Sequence, residues 1–308
     1  MLPTELPIIR YRLTFQVTTP FALPEYAGSA LRGAFGRALR KISCMTKQAE
    51  CHGCWLYQTC PYTNIFETPA PNDHPLQKFS QVPNAYVIEP LEWGEQCYSK
   101  GDIFAFDLVL FGRTLEQLPL ILFAFKRALE FNLVGGKATL TDFAKIAENQ
   151  TAFSLFQQEK IREHSQMLSV PSDLPSSLKL EFITPLRIQE NGKPLREKEI
   201  NKTRLLITLA KRISLLAEFH AQQLQLHLDF EQLITEIEPI QESKQLQWQD
   251  WTRYSSRQKQ KMKLGGVVGH WQLDNVPVNW AKLLYLGQWL HCGKNATFGL
   301  GKYRITNL

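Results

Sequence analysis

Apolar and polar positions alternate near the start of the chain, where Tyr11, Leu13, Phe15 and Val17 are separated by Arg12, Thr14 and Gln16. A period of two is the mark of a strand with one buried face. Beyond the turn signals Pro20 and Pro24 the period changes: Leu31, Ala34, Phe35, Ala38, Leu39 and Ile42 fall on one face of a helix over residues 27–42, and Arg32, Arg37 and Arg40 on the other. After a cysteine-rich stretch, residues 86–91 and 102–111 read as strands. A helix follows at 115–129, ended near Gly135 and Gly136, and then a strand at 137–146. The order is strand, helix, strand, strand, helix, strand.

The second half repeats that order. Residues 178–188 alternate as a strand, and 202–220 form an amphipathic helix with Leu205, Leu209, Ile213, Leu216 and His220 on one stripe. Residues 248–257 and 263–273 read as a hairpin, 280–290 as a helix and 297–306 as a closing strand. Between the halves, 148–177 lacks a clear period and ends in Pro171, Ser172, Asp173, Pro175, Ser176 and Ser177, the composition of a linker. Two copies of a split βαβ order predict an α+β chain of tandem ferredoxin-like (RRM-like, βαββαβ) domains. The first domain is placed at 1–147 with a Cys-rich insertion at 44–62, the linker at 148–177, and the C-terminal RNA-binding domain at 178–308. Open antiparallel sheets of this kind serve widely as RNA platforms.

Composition agrees with a packed protein: of 308 residues, 44% are hydrophobic and 21% charged. No run approaches the roughly 20 apolar residues that span a bilayer, and the prolines at 3 and 7 interrupt any signal-peptide core, so the expectation is a cytoplasmic protein with no membrane partner. The net charge of +6 is concentrated: from Gln245 onward nine cations face two acids, a local +7. Such a patch favours an anionic partner.

The C-terminal segment from His291 to Arg304 combines Gly293, Gly299 and Gly301 with Lys294 and Lys302. Glycine lets a backbone approach a phosphate closely, and lysine supplies charge. The spacing is not that of a P-loop, because no Lys-Ser or Lys-Thr pair follows Gly299 and the segment follows a helix rather than a strand, which excludes nucleotide hydrolysis of that type. In residues 251–263, Trp251, Arg253, Tyr254, Arg257, Lys259, Lys261 and Lys263 interleave aromatic and basic side chains. That mixture suits phosphate neutralisation and base stacking.

Several segments together resemble a known family. They are Leu31-Arg32-Gly33-Ala34-Phe35-Gly36, the Cys-x₂-Cys region leading to Cys60-Pro61-Tyr62, Phe66-Glu67-Thr68-Pro69, Arg253-Tyr254-Ser255 with Arg257-Gln258, Gly265-Gly266-Val267-Val268-Gly269, and His291 through Tyr303. They look like the CRISPR repeat-processing endoribonucleases of the RAMP superfamily. The resemblance implies binding of CRISPR repeat RNA and its cleavage into guide RNAs without a metal cofactor. The reaction it implies is attack of the ribose 2′-hydroxyl on the adjacent phosphate, leaving a 2′,3′-cyclic phosphate and a 5′-hydroxyl. It also brings other CRISPR effector or adaptation proteins into view as partners.

Cleavage of that kind needs a proton acceptor, a proton donor and cations around the phosphorane, and histidine suits either proton role. Many family members carry a histidine in or just after the first helix, whereas this helix offers arginines. The catalytic set expected here is therefore His291 with Tyr254, Arg257 and Lys294. His52 is a second candidate, His220 reads as a core residue, and Tyr26 is held in reserve for the family's tyrosine. RNA contacts are expected from Arg32, Arg37, Arg253, Lys261, Lys263, Gly293, Gly299, Gly301 and Lys302. The spacing Cys44-x₆-Cys51-x₂-Cys54-x₅-Cys60 is compatible with a structural zinc, alongside reduced thiols, disulfides or an iron–sulfur cluster. Rival readings are a non-catalytic guide-RNA-binding subunit and a zinc-stabilised DNA-binding module.

Overall fold

The computed structural model describes residues 2–71, 82–157, 160–255 and 260–308, with the backbone alone at 253–255 and 260–263. The chain divides into two compact units, Ile9–Gln166 and Met167–Leu308 together with Met1–Ile8.

In the first unit, β1 (Ile8–Thr19), α1 (Gly28–Ser43), β2 (Tyr86–Pro90), β3 (Ile103–Phe111), α3 (Leu118–Phe131) and β4 (Lys137–Ile146) follow the predicted order. A short helix, α2 (Pro61–Phe66), lies between α1 and β2. The sheet order is β2-β3-β1-β4, extended at one edge by β5 (Ala152–Ser154). The first strand is thus central, which is the split βαβ arrangement of ferredoxin-like folds. Tyr11, Leu13, Phe15 and Val17 join Leu31, Phe35 and Leu39 of α1 and Ile121, Phe125 and Leu129 of α3 in one core. Phe35 and Phe125 stack with ring centroids 4.3 Å apart, a contact worth about 0.5–1.5 kcal/mol beyond its burial. The opposite face of β1 is charged. Arg10 reaches Glu89 (Nε to Oε2 2.9 Å) and Arg12 binds Asp107 (Nε to Oδ1 2.7 Å). Glu89 and Asp107 are register partners on β2 and β3.

The second unit contains β6 (Leu178–Leu186), α4 (Lys202–His220), β7 (Gln241–Ser255), β8 (Gln260–Asp274), α5 (Val278–Leu290) and β9 (Tyr303–Ile305). Its sheet order, β7-β8-β6-β9, again puts the first strand between the third and fourth. Asn201 caps α4, its side chain accepting from the Arg204 amide at 3.0 Å. His220 is buried at the end of the apolar stripe. Among the described residues, no helix is long and apolar enough to cross a membrane.

Three sequence expectations need correction. The closing strand is shorter than 297–306, because residues 296–298 form a 3₁₀ turn and Gly299 and Gly301 take positive φ, which a continuous strand excludes. The hairpin begins earlier than expected, at Gln241 rather than Trp248, with unbroken register from Gln241 opposite Asp274 to Ser255 opposite Gln260. Much of 148–177 is not an unstructured connector: Leu155 is buried in the first core with Phe156 and Ile161 packed against it, and Leu168–Ser169 pairs with Glu5–Leu6. The proline- and serine-rich residues that suggested a linker begin only at 171.

Candidate nucleic-acid interface

The glycine segment is built on the end of α5. His291 adopts φ 59° while its amide still donates to Gly287 O at 2.9 Å, so the helix ends by turning sharply into the loop. The loop then folds over the irregular end of β6. Lys294 N donates to Arg187 O at 2.8 Å and Gly301 N to Pro185 O at 3.0 Å. Thr184 Oγ1 donates to Gly299 O at 2.7 Å and accepts from Lys302 N at 2.9 Å. Gly293 has φ 83°, and a Cβ there would stand 2.5 Å from Arg187 O. At Gly301, φ 68°, a Cβ would overlap the Cys292 carbonyl.

These bonds occupy much of the loop backbone, but not all of it. Among the described residues, no protein acceptor meets the amides of half-buried Asn295 and Thr297, which lie near exposed Lys294 in the chain. Free amides next to an ammonium group are the chemistry of a phosphate cradle. Lys302 is half-buried, and exposed Arg304 is engaged with Glu181 at 2.6 Å.

His291 is placed differently from its neighbours. Its side chain is fully buried, with Nδ1 3.1 Å from Leu300 O. In this conformation the ring joins the two arms of the loop and is closed to an RNA 2′-hydroxyl. His52 is exposed in the cysteine segment, and His164 contacts the Tyr11 hydroxyl at 2.8 Å.

Two supporting residues escaped the sequence reading. Thr184 is one. The other is Arg212 of α4, whose Nε donates to Leu290 O at 2.8 Å, fastening the end of α5 at the root of the loop. Burial pushes its guanidinium down to about 10, with the neighbouring Cys292 acting in the opposite direction. Burial also pushes the Cys292 thiol up to about 12. Arg212 was legible in principle: Leu205, Leu209, Arg212 and Leu216 have core-facing helical spacing, so a cation there needs an internal acceptor.

Within the hairpin, Arg253 pairs in register with Met262, Tyr254 with Lys261 and Thr252 with Lys263. Arg257 lies outside the described residues, as do the side chains of Arg253, Tyr254, Lys261 and Lys263. Trp251 is buried, which removes it from the expected stacking surface. Trp248 is covered by the Arg196 guanidinium, 3.8 Å from its ring centroid.

In the first unit, Arg37 is exposed, whereas Arg32 is half-buried with its guanidinium 4.3 Å from the Phe66 ring centroid. Burial holds the Tyr26 phenol well above its ordinary value, reinforced by Glu89. Cys44, Cys51, Cys54 and Cys60 line one small cavity. Burial raises the Cys51 thiol, and Glu67 adds to the effect. At Cys44 burial pushes the same way, but hydrogen bonds from Lys47 and Thr46 and the charge of Arg40 leave the thiol below its ordinary value.

A family model described as an N-terminal domain, AF_1859_N, matches residues 6–169, more than half the chain. A second, described as CRISPR-associated endoribonuclease Cas6, matches residues 180–303, from β6 through the glycine loop to β9. The chain thus joins an AF_1859_N N-terminal domain to a C-terminal region that matches the Cas6 family of CRISPR-associated endoribonucleases. Solved Cas6 structures share its fold. A Cas6 product complex is 13% identical, covering 97% of this chain and 99% of that one, with a TM-score of 0.60. A Thermus thermophilus Cas6 is 12% identical over 98% of this chain and 99% of that chain, with a TM-score of 0.53. A chain of a partial Cas6-RT-Cas1–Cas2 complex is 14% identical over 99% of this chain and 46% of its own, with a TM-score of 0.56. An uncharacterized Archaeoglobus fulgidus protein is 20% identical over 302 residues, 92% of this chain and 93% of that one.

Proposed function

We propose that this chain binds CRISPR repeat RNA and cuts precursor transcripts into guide RNAs by attack of the 2′-hydroxyl on the neighbouring phosphate. The observation that carries the reading is the glycine loop, which sets the amides of Asn295 and Thr297 near exposed Lys294 within the stretch matched by the endoribonuclease model. In the reaction the 2′-hydroxyl loses its proton, the 2′-oxygen to phosphorus bond forms and the bond to the 5′-oxygen breaks. That oxygen takes a proton and leaves as a 5′-hydroxyl, while the phosphate closes into a 2′,3′-cyclic ester. Nothing in this balance requires a cofactor. The groups offered to it are the ammonium of Lys294, the loop amides and, from the hairpin, Tyr254 and Arg257. Donors aimed at the charge that develops on phosphorus are commonly the largest catalytic term.

Direct proton transfer by His291 would require the ring to be uncovered when RNA binds. Its burial and its contact with Leu300 favour a positioning role, in which the imidazole holds the loop shut behind the phosphate. The two roles separate experimentally. As a positioning residue, His291→Asn should weaken repeat-RNA binding and cleavage together and lower the melting temperature, leaving the pH profile of cleavage unchanged. As the proton-transfer residue, it should lower single-turnover cleavage by orders of magnitude at unchanged affinity. Lys294→Ala should slow cleavage by about 10²–10³-fold, the scale of removing one donor to a charged transition state, with little change in melting temperature.

The reading as a whole is tested with cognate repeat RNA and pure protein in chelator. Products ending in a cyclic phosphate and a 5′-hydroxyl are expected, and none from RNA carrying 2′-deoxyribose upstream of the cut. Equal cutting of the deoxy substrate would overturn the mechanism. Binding without products across pH would make the chain a guide-RNA holder. The likeness of fold to a chain of the Cas6-RT-Cas1–Cas2 complex adds CRISPR adaptation proteins to the proposed partners.

A further inference from the structure

The segment joining α1 to α2, Cys44 to Cys60, has no apolar interior. None of its 17 residues is buried, and Met45 and Trp55 are 78% and 96% exposed. Its six half-buried residues are Leu56, Tyr57 and the four cysteines. Burial of apolar surface here is too small to offset the entropy of fixing so many residues, and the half-buried positions centre on the cysteines.

The geometry gathers them. Cys44 is tied to the end of α1, its amide donating to Arg40 O at 2.9 Å, and Cys60 immediately precedes the first residue of α2. Cys51 and Cys54 flank a tight turn, Cys54 N donating to Cys51 O at 3.1 Å with Gly53 at φ 82°. The Thr46 hydroxyl stands 3.9 Å from Cys44 Sγ and 3.4 Å from Cys54 Sγ. All four cysteines line a cavity of about 20 Å³. One water-sized occupant needs roughly 10–15 Å³, so the space suits a single ion and no organic ligand. Arg40 straps the segment, its Nη2 donating to Gln48 O and Ala49 O at 2.6 Å. All four cysteines are free of disulfide bonds.

We propose that Cys44, Cys51, Cys54 and Cys60 bind one zinc ion as a closed tetrahedral site that orders the segment between α1 and α2. Four thiolates are the soft donor set that selects zinc, and filling every position leaves none for a reactive water. The ion is structural and takes no part in the RNA chemistry proposed above. Among the described residues no three His, Cys, Asp or Glu side chains already stand in coordinating positions. Zinc–sulfur bonds of about 2.3 Å therefore draw the thiols inward across the shared cavity, releasing their protons to solvent. The fully coordinated ion carries a net negative charge, which the Arg40 cation partly offsets.

Full-length protein, reduced and stripped of metal, is titrated with Co²⁺ and then Zn²⁺. The expected result is one equivalent bound, intense visible bands of tetrahedral cobalt with a near-ultraviolet thiolate charge-transfer band, and their loss when zinc displaces cobalt. Zinc should shield four thiols from a disulfide reagent, leave exposed Cys97 reactive, and slow proteolysis within 44–60. Cys51→Ser with Cys54→Ser should abolish all of this, and Cys97→Ser none of it. Octahedral or absent cobalt bands, or equal thiol reactivity with and without zinc, would overturn the proposal. So would a Cys44–Cys60 cluster that returns as disulfides from protein purified without reductant but with zinc. If the serine pair folds poorly, cobalt spectra of the wild-type chain still decide. RNA cleavage surviving zinc removal fits the structural role, whereas cleavage restored only by zinc would contradict it.

Discussion

Gly301→Ala is expected to destabilise the unit containing the glycine loop by about 2–5 kcal/mol, adding the 1–2 kcal/mol of a left-handed backbone to the 1–3 kcal/mol of forced overpacking. For a unit of this size that is a fall of roughly 4–20 °C in melting temperature. Two causes act together: φ is 68°, and the new Cβ would meet the Cys292 carbonyl, which is backbone and cannot rotate away. The Cys292 amide donates to Gly301 O at 3.1 Å, and the clash breaks that bond as well. Gly192 supplies the control. Its φ is 79°, but nothing lies within 4 Å of a Cβ there, so Gly192→Ala should cost only the backbone strain, about 1–2 kcal/mol. Thermal melts of both variants measure the difference, and equal losses would show that the close approach at Gly301 is not a constraint. Because the same loop carries the amides of Asn295 and Thr297, repeat-RNA affinity should fall for Gly301→Ala and stay unchanged for Gly192→Ala.

Arg10→Met should destabilise the first unit by about 3–5 kcal/mol, the usual result of stripping one partner from a buried ion pair. Arg10 and Glu89 side chains are 7% and 0% exposed, and Arg10 makes two contacts to the carboxylate, Nε to Oε2 at 2.9 Å and Nη2 to Oε1 at 3.0 Å. Without it, Glu89 is left buried and opposite Asp107, the like-charged neighbour in register on β3. Arg12 does not replace it, since its guanidinium is already committed to Asp107 through two bonds of 2.7 and 2.9 Å. Removing both members of the first pair, Arg10→Met with Glu89→Leu, should restore most of the loss, because burial of an apolar pair of similar size replaces two desolvated charges. Denaturant unfolding of the two single variants and the double variant reads the coupling directly. A single Arg10→Met within 1 kcal/mol of wild type would mean that Glu89 finds another partner or water, against the desolvation cost assumed for it.

The alternation of Tyr11, Leu13, Phe15 and Val17 and the helical spacing of Leu31, Phe35 and Leu39 were sufficient to read a strand and a helix, because one face of each is buried and the period records it. The stripe through Leu205, Leu209, Ile213 and Leu216 did the same for α4. The start of the closing strand was not legible, since Gly299 and Gly301 look alike in sequence whether they sit in a strand or in positive-φ turns. The 148–177 stretch misled for a related reason. Its short strands have too few residues to show a period, and Leu155 is held by the core rather than by local pattern.

Residue types in the sequence determined which chemistry is available: a basic, glycine-rich C-terminal segment, four clustered cysteines, and the motifs of the RAMP family. Access was decided only by tertiary structure. His291 and Lys294 are three positions apart and equally suited by type to act on RNA, yet the turn at φ 59° sends the imidazole inward against Leu300 while Lys294 stays exposed. Likewise Trp251 shares the basic–aromatic hairpin but is buried, and Arg212, on an apolar stripe, becomes a fastening for α5. Burial depends on what distant segments bring against a residue. The order of side chains along one chain does not contain that information until the sheet and helices are assembled.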